Sequence, residues 1–191
     1  MSLLTYPEIC ELIDRGVIVG TGPAMVNATS LDIRLGTTVY TEKAHDDGQP
    51  VHGRVVRAWM GESLALQREE LRLGDEVIFR PGEFKLCCSL EEFNLPDDIT
   101  AVMHLKSSTG RMGLNHMLAG YCDPGWHSSH MTLELHNSLR YHTTAWVVGQ
   151  LIAQVSFVRH AAVPESASYR ATGRYNGDKG ATPSKGAGGV R

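Results

Sequence analysis

One stretch with helical spacing opens the chain, and short strand-like runs make up the rest of its pattern. Ile9, Leu12 and Ile13 fall on one helical face behind a T-x-x-E capping box formed by Thr5 and Glu8, and Gly16 stops the run after Arg15. Beyond it, apolar and polar positions predict strands at 31–35, 55–59, 76–79, 84–89, 99–104, 131–136, 144–148 and 151–158. Turn signals such as Gly74-Asp75, Pro81-Gly82, Pro96-Asp97-Asp98 and Pro124-Gly125 separate these runs. Residues 111–118 have room for a further helical turn or two, and residues 41–54 read as a polar, glycine-containing loop. Many short strands at this spacing predict a mainly β domain, a sandwich or barrel, with no internal repeat. The apolar pattern fades near residue 160, which divides the chain into a β domain, 1–160, and a C-terminal arm, 161–191.

Composition changes this picture in two places. At 191 residues, with 42% hydrophobic and 20% charged residues, the chain is long enough for one domain with its own core. No apolar run reaches the roughly 18 residues that span a bilayer, and the start MSLLTYPEICELIDRG has no basic leader before an apolar stretch. The expectation is therefore a cytoplasmic protein without membrane attachment. Cys10, Cys87, Cys88 and Cys122 suggest reduced thiols, because Cys87 and Cys88 are adjacent and no C-x-x-C pair exists.

Charge is the second change. In residues 170–191, Arg170, Arg174, Lys179, Lys185 and Arg191 stand against Asp178 alone, a local balance of +4 that leaves the remainder near -7 within a total of -3. An acidic body argues against a nucleic-acid binder, whose basic surface is broad. The arm reads either as a solvated tail or as a segment that closes on something small and anionic.

Candidate chemistry narrows to carboxylates. His127, His130, Glu134 and His136 lie within ten residues, but their spacing matches no zinc signature, and the H-x-E with P-C-x-x-C of the zinc nucleobase deaminases is absent. Ser107-Ser108 is not in a nucleophile elbow, and no phosphate-binding glycine loop follows a strand. Glu134 sits between Leu133 and Leu135, where a charge requires solvent, a partner or a task. Asp123 opens the turn Asp-Pro-Gly-Trp, which by itself is an ordinary turn former. Arg111, in KSSTGRMGL, is the natural counter-charge for Glu134 by type, and sequence alone does not pair the two.

At these residues the sequence resembles the dCTP deaminase branch of the dUTPase superfamily. NATSLDIRLG (27–36), PGEFKLCCSLEEFNLPDDI (81–99), KSSTGRMGL (106–114), AGYCDPGW (119–126), MTLELHN (131–137), GQLIAQVSF (149–157) and GRYNGDKGATPSK (173–185) match the family's segments in order and at family spacing. The resemblance implies a β-clip, jelly-roll-like fold and a homotrimer with active sites between subunits. It implies hydrolysis of dCTP to dUTP and ammonia without zinc, with Mg²⁺ bound through the substrate triphosphate, and in some relatives further cleavage to dUMP and pyrophosphate. A dUTPase-only enzyme and a nucleotide-binding protein without chemistry are the alternatives.

Carried over by position, Glu134 is the general base and acid. Ser107, Arg111 and the carbonyl of Ala119 hold the attacking water and the transition state, and Lys106 and Ser108 contact phosphates. Asp123 activates a second water for phosphate cleavage or positions the sugar. Gln154, Tyr169, Arg174 and Asp178 complete the nucleotide-binding set, the last three from the arm that covers the triphosphate. The sequence departs from the pattern in three places. The turn 127–130 (HSSH) is one residue longer, which predicts a bulge that keeps Met131, Leu133 and Leu135 on the apolar face. Leu105 replaces a glycine, and Asp178 stands where the arm normally has glutamine.

Overall fold

The computed structural model describes residues 1–43 and 56–186. Helix α1 (Tyr6–Asp14) follows strand β1 (Ser2–Leu3), with the Glu8 carboxylate reaching back to accept from the Thr5 N–H and hydroxyl, each at 3.0 Å. Ile9 and Leu12 are fully buried, and Gly16 takes a left-handed φ of 69° that ends the helix. Then come β2 (Ile18–Val19), β3 (Leu31–Arg34), β4 (Thr38–Glu42), β5 (Leu66–Glu70), β6 (Glu76–Phe79) and β7 (Phe84–Phe93). After β8 (Ile99–Leu105) a short helix α2 (Ser107–Arg111) leads into β9 (Leu114–His116) and β10 (Tyr121–Cys122). The long strands β11 (Ser129–Asn137), β12 (Thr144–Val147) and β13 (Leu151–Arg159) follow, and helix α3 (Tyr169–Thr172) lies in the C-terminal segment.

The strands form a mainly β, all-antiparallel architecture. One sheet runs β1-β13-β8-β10 with β3 also on β13, a second runs β5-β4-β7-β11-β9 with β2 on β7, and β12 pairs with β6. The core between them gathers Phe79, Phe93, Leu133, Leu135, Val155 and Phe157, all fully buried. Among the described residues no helix is long and apolar enough to cross a membrane. Cys10, Cys87, Cys88 and Cys122 are free thiols.

Several expectations need correction. Residues 58–60 form a single 3₁₀ turn where a strand was expected over 55–59, and Val55 lies outside the described residues. The helical turn expected within 111–118 lies earlier, at α2, while Leu114–His116 is strand. Of the loop expected at 41–54, Thr41 and Glu42 belong to β4 and residues 44–54 lie outside the described residues. Strand β5 has no counterpart among the expected strands, because its residues are mostly exposed and leave no apolar alternation.

The expected irregularity before Glu134 is present, on the other strand. His130 pairs with Glu92 but Thr132 pairs with Cys88, so three residues of β7 (89–91) oppose the single Met131 of β11. Burial along β11 therefore alternates without a break: Ser129, Met131, Leu133, Leu135 and Asn137 point inward, and His130, Thr132, Glu134 and His136 are half-buried on the other face. Ser128, with a left-handed φ of 54°, accommodates the longer turn.

Candidate active site

The outer face of β11 floors a cavity of about 480 Å³. Glu134, Thr132 and His130 rise from that strand, Ala119 to Asp123 form one wall, and Phe84 with Leu86 of β7 form another. Tyr169, Tyr175, Asp178 and Thr182–Ser184 close it from the C-terminal side. Two glycines hold the wall in place. Gly120 passes so close to β8 that a Cβ would lie 2.7 Å from the Met103 carbonyl oxygen, and Gly125, at φ 84°, faces Ser168 and Asp97 with no space for a side chain.

The C-terminal segment is bound to the rim by backbone contacts. The Trp126 indole donates to the Tyr175 carbonyl at 2.9 Å, the His130 N–H to the Asp178 carbonyl at 3.0 Å, and the Thr182 N–H to Thr132 Oγ1 at 3.1 Å. Ala181 is buried against Leu86 and Cys88, and Ser168 is buried with its hydroxyl 2.6 Å from Asp97 Oδ1. Tyr169 packs against the main core, and that burial raises its phenol above the ordinary value.

Glu134 has a close polar neighbour in His116. His116, only 5% exposed, places Nε2 3.0 Å from Glu134 Oε2, at an angle outside hydrogen-bond geometry. Both atoms are buried and have no hydrogen-bond partner among the described residues. Beside them, burial, followed by the Asp123 and Glu134 carboxylates, pushes the Cys122 thiol up to about 12.

Of the residues expected at the site, Glu134, Ala119, Asp123, Tyr169 and Asp178 line this cavity. Lys106, Ser107, Ser108, Arg111, Gln154 and Arg174 do not. Lys106 is tied to Asp32 by an ion pair of 2.6 Å, and Ser107, Ser108 and Arg111 are exposed on α2. Gln154 lies in register between Asp32 of β3 and His104 of β8. The Arg174 guanidinium lies 5.9 Å from the Tyr175 ring centre. His116, not Arg111, faces Glu134.

The histidines next to Glu134 have local tasks. His127 Nδ1 is 3.0 Å from the Gly125 carbonyl, His130 Nδ1 is 2.9 Å from the Ser89 carbonyl, and His136 Nδ1 is 3.3 Å from Ser138 Oγ. Among the described residues no three His, Cys, Asp or Glu side chains converge as a metal-holding group.

A family model described as dCTP deaminase-like matches residues 3–160. The chain belongs to the dCTP deaminase-like family. A "dCTP deaminase, dUMP-forming" of Mycobacterium sp. (strain KMS) is 34% identical over 197 residues, spanning 96% of this chain and 95% of that protein. One of the same name from Corynebacterium efficiens is 31% identical over 189 residues, spanning 96% and 94%. The crystal structure of 2'-deoxycytidine 5'-triphosphate deaminase from Agrobacterium tumefaciens aligns at a TM-score of 0.58 and 23% identity, over 86% of this chain and 50% of that one. The present chain thus spans half the length of that protein, and the likeness is one of fold.

Within the family frame, two features were missed by sequence reasoning. Ser63, Leu64 and Leu66 contribute to the cavity from a stretch without strand alternation. His116 had one signal: alternation in Leu114-Asn115-His116 puts His116 on the same inward side as Leu114, and both are buried.

Proposed function

We propose that this chain hydrolyses dCTP to dUTP and ammonia at the Glu134 cavity and carries dUTP on to dUMP and pyrophosphate. The observation that carries the reading is the meeting of Glu134 and Asp123 in one cavity covered by the C-terminal segment. The two relatives described above, from Mycobacterium sp. (strain KMS) and Corynebacterium efficiens, are named as dUMP-forming, which supports the second step.

Deamination needs a group to take a proton from water as its oxygen attacks C4 of cytosine. Glu134 performs this as general base, then returns the proton to the ring nitrogen and assists departure of ammonia, each transfer contributing roughly 10²–10⁴-fold. Asp123 orients or deprotonates a second water for cleavage between the α- and β-phosphates. Tyr169 and the segment through Ser184 exclude solvent and hold the nucleotide, so that binding energy remote from the base is used for orientation. Mg²⁺ arrives with the triphosphate as part of the substrate.

The Lys106–Arg111 segment serves the cavity of a neighbouring copy in a homotrimer. Ser107, Ser108 and Arg111 are exposed and unused in their own copy's cavity. Met112, Met117, Leu118 and Tyr121, close by in sequence, are 56%, 59%, 96% and 65% exposed, large side chains suited to burial by another copy. In that assembly Ser107 and Arg111 stabilise the water and the developing charge, while Lys106 and Ser108 bind phosphates. The substrates are free nucleotides of the cytoplasm.

The test is product analysis with the full chain and Mg²⁺. Ammonia and pyrophosphate are assayed separately from dCTP and from dUTP. Both products from dCTP are expected. Pyrophosphate from dUTP with no ammonia from dCTP identifies a dUTPase-only enzyme, and neither product from either nucleotide overturns the reading.

A further inference from the structure

The Glu134 carboxylate is held asymmetrically. Its Oε2 is buried against His116 without a hydrogen-bond partner, yet the side chain as a whole is 28% exposed where it lines the cavity. A buried carboxylate oxygen left unpaired is costly, and so is a buried imidazole nitrogen. The two atoms lie 3.0 Å apart, so a small rotation of either ring or carboxylate brings an N–H into line and satisfies both at once. Catalytic hydrogen bonds are often poorly aligned before substrate binds and tighten in the complex.

The backbone around His116 fixes this approach. His116 is the last residue of β9 and is in register with Leu135, the next residue after Glu134. The Met117 N–H donates to the Glu134 carbonyl at 3.2 Å, and Leu118, at a left-handed φ of 61°, turns the chain toward Ala119. A non-glycine residue in that conformation is strained, and such strain clusters at functional sites. The same few residues therefore set the imidazole against Glu134 and carry the Ala119 wall.

We propose that His116 is the positioning residue for Glu134. Its Nε2–H binds Oε2, fixes the carboxylate plane and leaves Oε1 as the oxygen that meets water. It acts through Glu134 and touches neither water nor nucleotide. This inference rests on the reading of Glu134 as general base, and it assigns a task to a buried histidine that the deamination scheme above leaves unused.

The experiment measures kcat and KM for dCTP deamination in His116→Ala, His116→Gln, Glu134→Gln and the double variant His116→Ala/Glu134→Gln, with folding checked by thermal melts. The expected result for His116→Ala is a fall in kcat of roughly 10–100-fold with KM changed less than about threefold. His116→Gln, whose amide N–H can donate to Oε2, recovers at least about fivefold of that loss and serves as the folded variant if the alanine form melts. In the Glu134→Gln background, His116→Ala costs nothing further, since residues acting as a unit are non-additive. Unchanged kcat in His116→Ala, a loss confined to KM, or a glutamine variant no better than alanine overturns the assignment. Glu134→Gln separates the two levels: full deamination by that variant removes the general-base reading and this inference with it, whereas an inactive Glu134→Gln beside a fully active His116→Ala removes this inference alone.

Discussion

The Lys185 ammonium donates to both carboxylate oxygens of Asp178, at 2.9 Å each, and to the Arg174 carbonyl at 2.7 Å. It also lies 5.0 Å from the centre of the Tyr175 ring. One cation thus closes residues 174–185 into a loop at the cavity rim. A carboxylate at position 178 would repel a triphosphate, and in this loop its charge is already matched.

From this pair comes a prediction about nucleotide affinity. Asp178→Gln frees the Lys185 ammonium for phosphate, so KM for dCTP holds or falls. Lys185→Met leaves an unmatched carboxylate at the rim, and KM rises several-fold, more at low salt than at high salt because exposed charges are screened. A large rise in KM for Asp178→Gln would mean that the carboxylate itself contacts the nucleotide.

Asp123 is expected to separate the two hydrolyses. Asp123→Asn should abolish pyrophosphate release while ammonia release falls by less than about tenfold, because the proposed deamination base, Glu134, is a different carboxylate. Equal loss of both products would give Asp123 a general binding role.

Cys122 should be chemically quiet although it lines the cavity. With its thiol raised to about 12 from an ordinary value near 9, it holds about a thousandfold less thiolate at pH 8 than an ordinary thiol. Alkylation by iodoacetamide at pH 8, followed by mass spectrometry, should label Cys122 in the native protein far more slowly than in the denatured chain. The sign for stability follows: the folded state keeps the proton between about 9 and 12 where the unfolded chain loses it, so this stabilisation is intact below pH 9 and is lost as pH rises through that window. Rapid native labelling would place the thiol in solvent.

Subunit mixing addresses the composite site. Glu134→Gln and Arg111→Ala should each inactivate, and if the proposed homotrimer forms, mixed trimers should hold some cavities that combine an intact Glu134 from one copy with an intact Arg111 from the next. Random 1:1 reassembly should restore about a quarter of wild-type activity if each site draws on two copies. No recovery would confine the site to one chain.

Much of the fold was legible because β11 keeps a strict period of two from Ser129 to Asn137, and one apolar face fixes which side Glu134 takes. The irregularity that preserves this face was expected beside the HSSH turn, but its extra residues lie at 89–91 of β7, and a single strand's pattern carries no information about its partner's register. Strand β5 was illegible because LQREE has almost nothing to bury. Partnership was harder still to read. Arg111 was the plausible counter-charge for Glu134 by type, whereas contact depends on how β9 ends, and that brings His116 to the carboxylate. The Asp178–Lys185 pair, seven residues apart in a glycine-containing loop, likewise has no periodicity to reveal it.

The most direct test of the central claim is ammonia release from dCTP by Glu134→Gln, a change that keeps size and polarity but removes the carboxylate proposed to accept water's proton. The account predicts a fall in kcat of roughly 10³-fold or more with dCTP still bound. Ammonia release at the wild-type rate would contradict it and place the deamination base elsewhere than on β11.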